Sequence, residues 1–157
     1  MVKYAGHYIT FQEVPGEVSL TLTISNCPFA CPGCHSPWLR EDIGEWLTTD
    51  ALFRLMAPYK DAITCVCFMG DGGDAPLIGQ LVGFVHECGF KACLYTGSDR
   101  MELLDWSCDR PDYYKTGPYI EALGGLDSPS TNQRMYEYNR YTREYEDITS
   151  IFWRKKE

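Results

Sequence analysis

Three cysteines stand close together in the run Cys27-Pro28-Phe29-Ala30-Cys31-Pro32-Gly33-Cys34. Thiolates are soft donors, and three within one Pro/Gly-rich loop can converge on a single centre. Zinc, copper(I) and iron–sulfur clusters are the groups such donors select. A structural zinc site favours four closed ligands in two separated pairs. Only three lie together here, so a zinc knuckle would need His7 or another cysteine to complete it. A four-iron cubane held by three thiolates instead keeps one iron open for a substrate. The chain has eight cysteines in 157 residues, below the roughly 8–10% of a disulfide scaffold. The N-terminal stretch has polar residues throughout and no apolar core of a secretory signal. A cytoplasmic, reducing setting is therefore expected, where clustered cysteines are metal ligands or catalytic groups.

Other residues with chemical potential are fewer. Gly70-Asp71-Gly72-Gly73-Asp74 sets two consecutive glycines, which let a backbone approach a ligand closely, before one carboxylate, so that carbonyl acceptors and one anion could meet an ammonium group. Thr96 and Lys115 offer a hydroxyl and a cation. Cys65, Cys67, Cys88, Cys93 and Cys108 read as buried small hydrophobes, with Cys65 and Cys67 on one face of a strand. His7 and His86 carry no signal. Glu41-Asp42 and the acidic run from Glu144 to Asp147 read as solvated charge.

The elements that must position these residues follow from periodicity. Val18–Ser25 alternates as a strand. Thr48-Thr49-Asp50 offers a helix N-cap, and Leu52, Leu55, Met56 and Tyr59 make one apolar helix face. Ile63–Met69 reads as a buried strand. Pro76 opens a second helix, with Ile78, Leu81, Val82 and Val85 on one face and Gly89 at its end. Lys91–Tyr95 is a short strand, Met101–Trp106 a short helix, and Asp112–Lys115 a fourth strand. Each unusual motif follows a strand directly. In parallel α/β folds that end of the sheet is the ligand end. The expected fold is α/β: one domain over residues 1–157, a partial βα barrel of about four to five units with a mostly parallel sheet. Acids outnumber bases 22 to 14, giving a net charge of −8, the reverse of a nucleic-acid footprint. No apolar run reaches the roughly 18 residues of a membrane span.

The CxxxCxxC spacing after the first strand resembles the signature of the radical S-adenosylmethionine (SAM) superfamily. That resemblance implies a [4Fe–4S] cluster on Cys27, Cys31 and Cys34 whose open iron chelates SAM. It gives Gly72, Gly73 and Asp74 the place of the superfamily's Gly-Gly-Glu motif at the SAM amino group, with Asp74 one methylene shorter. It places His35 over the adenine, where the superfamily often has an aromatic residue before the third cysteine and this chain has Gly33. Thr96 and Lys115 become partners for the SAM carboxylate and ribose. The short length, Asp112-Tyr-Tyr-Lys-Thr-Gly-Pro-Tyr119 and Leu126-Asp-Ser-Pro-Ser-Thr-Asn-Gln-Arg134 resemble the activating proteins of anaerobic (class III) ribonucleotide reductases. This implies an activase that generates a glycyl radical on the reductase, with a flavodoxin-type electron donor. Contact with the reductase falls to Asn132, Gln133 and Arg134, and to part of the Tyr/Arg-rich segment from about residue 134, for which a final strand or helix packed on the sheet is the equal alternative. Another small radical SAM enzyme, or an activase of a different glycyl-radical enzyme, is the neighbouring alternative; a zinc-binding interaction module is the non-enzymatic one.

Overall fold

The computed structural model describes residues 1–29, 31, 36–98 and 110–153. They form one eight-stranded sheet. In chain order the strands are β1 (Lys3–Thr10), β2 (Ser19–Ile24), β3 (Glu45–Trp46), β4 (Cys65–Met69), β5 (Lys91–Tyr95), β6 (Tyr113–Thr116), β7 (Arg134–Asn139) and β8 (Glu144–Asp147). Their spatial order is β3-β1-β2-β4-β5-β6-β7-β8. The central four, β2, β4, β5 and β6, run parallel. Antiparallel strands extend the sheet on both sides.

Two α-helices, α1 (Thr49–Met56) and α2 (Ala75–Glu87), cover one face. Thr48 caps α1 by accepting the Ala51 amide at 3.1 Å. Asp74 caps α2 by accepting the Leu77 amide at 3.3 Å, and Pro76 fits the first turn because its missing N–H would have no partner there. Alternation sorts the strand residues between faces. Leu20, Leu22, Ile24, Val66, Phe68, Ala92, Leu94 and Tyr114 join Leu52, Met56, Ile78, Leu81, Val82 and Val85 in the main core. β4 and the centre of β5 are apolar because both of their faces are buried, whereas β2 alternates, with Leu20, Leu22 and Ile24 in the main core and Ser19 and Thr21 buried as well.

The face away from α1 and α2 has its own small core. Cys65, Cys67, Cys93, Tyr113 and Met135 pack there around Val14, which is fully buried. The β1–β2 connection thus straps across the sheet. The Tyr95 hydroxyl donates to the Glu13 carbonyl, and the Tyr113 hydroxyl to Glu17 at 3.2 Å. The segment after β8 closes the other side with Ile148 and Phe152.

This architecture corrects the expected partial βα barrel. The sheet is mixed, with three parallel and four antiparallel pairings, and among the described residues only two α-helices accompany it. The physical reason lies at the edges. β1 returns against β2, and β7 and β8 form a hairpin against β6, so the chain's ends build strands where a barrel would need further crossover helices. The helix expected over Met101–Trp106 lies outside the described residues. No helix among the described residues is long and apolar enough to cross a membrane.

At the amino ends of the parallel strands, Asp112 ties three elements together. It accepts from His86 at 2.7 Å, Arg140 at 2.8 Å and the Ala92 amide at 2.9 Å. Burial alone would raise its carboxyl, but these hydrogen bonds outweigh it and hold the group down at about 2. A carboxyl depressed below its unfolded value of 3.8 contributes stability that is present above that value and lost as pH falls through the folded one. We expect Asp112→Asn to lower stability at neutral pH, and the gap from wild type to shrink by about 2 kcal/mol between pH 4 and 2. Chemical denaturation of both proteins across that range checks this; a gap independent of pH would contradict it.

Candidate functional site

The parallel run brings four strand ends to one edge. Thr23, Met69, Tyr95 and Lys115 stand side by side in register across β2, β4, β5 and β6. The loops that follow carry the Cys27 run, the Gly70–Asp74 turn, Thr96-Gly97-Ser98 and Gly117. Backbone hydrogen bonds join the last three: Gly70 N to Tyr95 O at 2.9 Å, Thr96 N to Lys115 O at 2.9 Å, and Gly117 N to Ser98 O at 2.7 Å.

The cysteine loop is closed at its base. Asn26 adopts the left-handed conformation (φ 58°), and its amide bonds Glu41 O at 3.2 Å while Cys27 N bonds Leu39 O at 2.8 Å. The Arg40 guanidinium reaches back to the Cys31 carbonyl at 3.0 Å. Cys27 and Cys31 are half-buried thiols, and Cys27 Sγ donates to Phe29 O at 3.6 Å; such accessibility suits donors to a soft metal centre. Cys34 and His35 lie outside the described residues. Among the described residues no three His, Cys, Asp or Glu side chains group as a metal site, so a complete ligand set needs a thiol beyond them. His7, the alternative fourth zinc donor, is exposed on β1 opposite Leu22.

Phe29 fastens this loop to the next. A Cβ on Gly97 would stand 2.7 Å from the Phe29 ring, so only glycine lets the two loops meet this closely. Spacing gave no hint of this contact, because it joins residues 68 positions apart.

The glycine turn is held by Asp71, a residue to which spacing assigned no role. Its carboxylate accepts the Gly73 amide at 2.9 Å and the Thr96 hydroxyl at 3.2 Å. Thr96 in turn accepts the Ser98 amide at 3.2 Å. Asp-x-Gly before a second carboxylate is an Asx-turn pattern, and that signal was available in the sequence. Gly72 and Gly73 have φ of 61° and 75°. At Gly72 a Cβ would meet Val2 at 2.9 Å, whereas at Gly73 it would meet nothing within 4 Å. Gly73 therefore opens onto free space. Asp74 is occupied as the α2 cap and by the Met1 ammonium at 2.6 Å. The ammonium contact first, and then the Leu77 amide, hold its carboxyl below the ordinary value against the opposing effect of burial.

Lys115 is buried and donates to Gly117 O at 2.7 Å and Thr96 O at 3.2 Å. Gln133, also buried, donates to the same Gly117 carbonyl at 3.4 Å. Asn132 donates to Pro118 O at 3.0 Å, and Arg134 pairs with Asp147 at 3.6 Å beside the Trp153 ring. Gln133 thus lies with Lys115 at the strand ends, and Arg134 stands on the β7–β8 hairpin. A cleft of about 560 Å3, lined by Ser36, Tyr95, Lys115, Tyr119, Leu126 and Gln133 among others, joins the cysteine loop to these residues. It falls in the usual range for small-ligand sites. A larger cleft of about 710 Å3 lies at the opposite end, around His86, Asp112 and Arg140. The polar groups there bond one another, so it reads as a structural clamp.

The remaining thiols belong elsewhere. Cys65, Cys67 and Cys93 are fully buried under Val14. Burial pushes the Cys65 and Cys93 thiols up, and their mutual proximity adds to this. Such thiols are inert toward metals and alkylating agents. Cys88 ends α2, and Cys108 lies outside the described residues.

Gly97→Ala should push Phe29 away and loosen the cysteine loop, at roughly 1–3 kcal/mol of overpacking. Cys27 and Cys31 of the metal-free protein should then alkylate faster, and Phe29→Ala placed on top should relieve the strain, a coupling that a double-mutant cycle measures. Wild-type labelling rates in Gly97→Ala would show that the contact does not hold the loop.

No family model matches the chain, and neither does any curated protein or solved structure compared with it.

Proposed function

We propose that this chain is a radical SAM activase that generates a glycyl radical on an anaerobic ribonucleotide reductase. The observation that carries the reading is the convergence of the Cys27 loop, the Gly72-Gly73 turn, Thr96 and Lys115 at one sheet end. Cys27, Cys31 and Cys34 would hold a [4Fe–4S] cluster, the group that three thiolates and an open iron imply. When bound and reduced, such a cluster cleaves SAM to methionine and a 5′-deoxyadenosyl radical, which takes a hydrogen atom from a glycine Cα of the partner.

The chain's own residues supply binding and orientation. Gly72 and Gly73 offer backbone to the SAM amino group on the open side of the turn. Because Asp74 is already engaged as a cap, that backbone carries more of the reading than the Asp74 carboxylate does. Thr96 and Lys115 would serve the SAM carboxylate and ribose, and His35, which lies outside the described residues, would serve the adenine. The cleft beside Lys115 and Gln133 gives the partner's glycine loop a way in, since Val14 and Phe152 close the face away from α1 and α2 below it. Of the residues assigned to partner contact, Gln133 lines that cleft, and Asn132 and Arg134 beside it in the chain would meet the partner. A flavodoxin-type donor supplies the electron.

Anaerobic reconstitution with iron and sulfide separates the readings. Cys31→Ala should lose iron by about tenfold or more, while Cys65→Ala, whose thiol is buried away from the loop, should retain it. Loss of iron in Cys65→Ala, or stoichiometric zinc in the wild type, would overturn the cluster assignment. The loaded protein with SAM, a reductant and the reductase should give a glycyl radical. A radical formed only on another glycyl-radical enzyme would move the assignment to that partner.

A further inference from the structure

The Asp71 carboxylate is buried, with a relative exposure of 7%, at the ligand end of the sheet. Among the described residues no cationic side chain pairs with it. Its two oxygens are spent on two neutral donors, the Gly73 amide and the Thr96 hydroxyl, and its own carbonyl accepts the Asp74 amide at 3.0 Å. Burying a carboxylate without a countercharge costs several kcal/mol, which is an unusual way merely to close a turn. The result is geometric. One oxygen fixes Gly73 with a left-handed backbone that faces open space, and the other ties the same turn to the β5 loop. That loop is the one Phe29 packs against through Gly97. Asp71 therefore couples the glycine turn to the neighbour of the cysteine loop.

We propose that Asp71 is the positioning residue of the site: it presets the Gly72–Gly73 backbone and Thr96 for the amino-acid end of SAM. This rests on the radical SAM reading, and it assigns the role to a carboxylate that acts through its neighbours.

Three proteins test it: wild type, Asp71→Ala and Asp71→Asn. Asparagine keeps an oxygen for the Gly73 amide and a partner for Thr96 but lacks the charge. The first readout is amide hydrogen exchange at Gly73 in the metal-free protein. The second is the dissociation constant for SAM, measured by equilibrium dialysis on anaerobically reconstituted protein of matched iron content. Asp71→Ala should exchange about tenfold faster at Gly73 and bind SAM about tenfold more weakly, while Asp71→Asn stays within about threefold of wild type in both. Wild-type behaviour of Asp71→Ala in either readout would overturn the proposal. So would an Asp71→Asn as weak as Asp71→Ala, because charge rather than geometry would then be acting. If the alanine variant does not fold, an Asp71→Asn about tenfold weaker than wild type in either readout overturns the proposal by itself. If iron-loaded wild type itself binds no SAM, the activase reading fails, while the exchange data still judge the hold of Asp71 on the turn.

Discussion

The in-register parallel run of β2, β4, β5 and β6 is the constraint on which the rest depends. Parallel strands direct their following loops to the same edge, and here each of those loops holds a group with chemistry. The strand ends are then joined sideways, at Gly70 to Tyr95, at Thr96 to Lys115 and at Gly117 to Ser98. Side chains add a second set of links through Asp71 and Thr96, and through Phe29 on Gly97. A shift of one residue in any pairing would turn Leu22, Phe68 and Leu94 away from the helices and Cys67 and Cys93 into them. The burial of both faces therefore fixes the register, and the register fixes the site.

The face away from α1 and α2 shows how the sheet is covered on its other side among the described residues. The strap at Val14 on one side, and Ile148 and Phe152 on the other, bury Cys65, Cys67, Cys93, Tyr113 and Met135. Small thiols suit this shallow space beneath a strap, where larger side chains would lift it off. Among the described residues, the cysteines of the loop, Cys27 and Cys31, thus differ in environment from those of the sheet, Cys65, Cys67 and Cys93. Half-buried thiols on a closed loop remain available to a ligand, and buried ones under Val14 serve as packing.

The centre of the fold was legible because burial on both faces writes a strong pattern. Ile63–Met69 and Lys91–Tyr95 contain β4 and β5, and the caps at Thr48 and Pro76 locate both helices. The edges were not. β1 is mostly half-exposed, β3 has two residues, and β7 and β8 mix tyrosine with charge. Pairing with a neighbour, rather than local preference, makes these segments strands. Reading them as loop or tail produced the expectation of a barrel. In the site, the order of motif after strand was sufficient to gather Cys27, Cys31, Gly72, Gly73, Thr96 and Lys115. Gln133 joined that end only through the return of β7 against β6. The Asp71 links span loops distant in sequence, and only the Asx-turn half of them leaves a local trace.

The central claim is that the cysteine run holds a cluster with an iron open to SAM. The most direct measurement is an anaerobic electron paramagnetic resonance spectrum of the reconstituted, reduced protein, recorded with and without SAM. The account predicts a reduced [4Fe–4S] signal whose shape changes when SAM is added. A cluster signal indifferent to SAM, or zinc in place of any cluster, would contradict it.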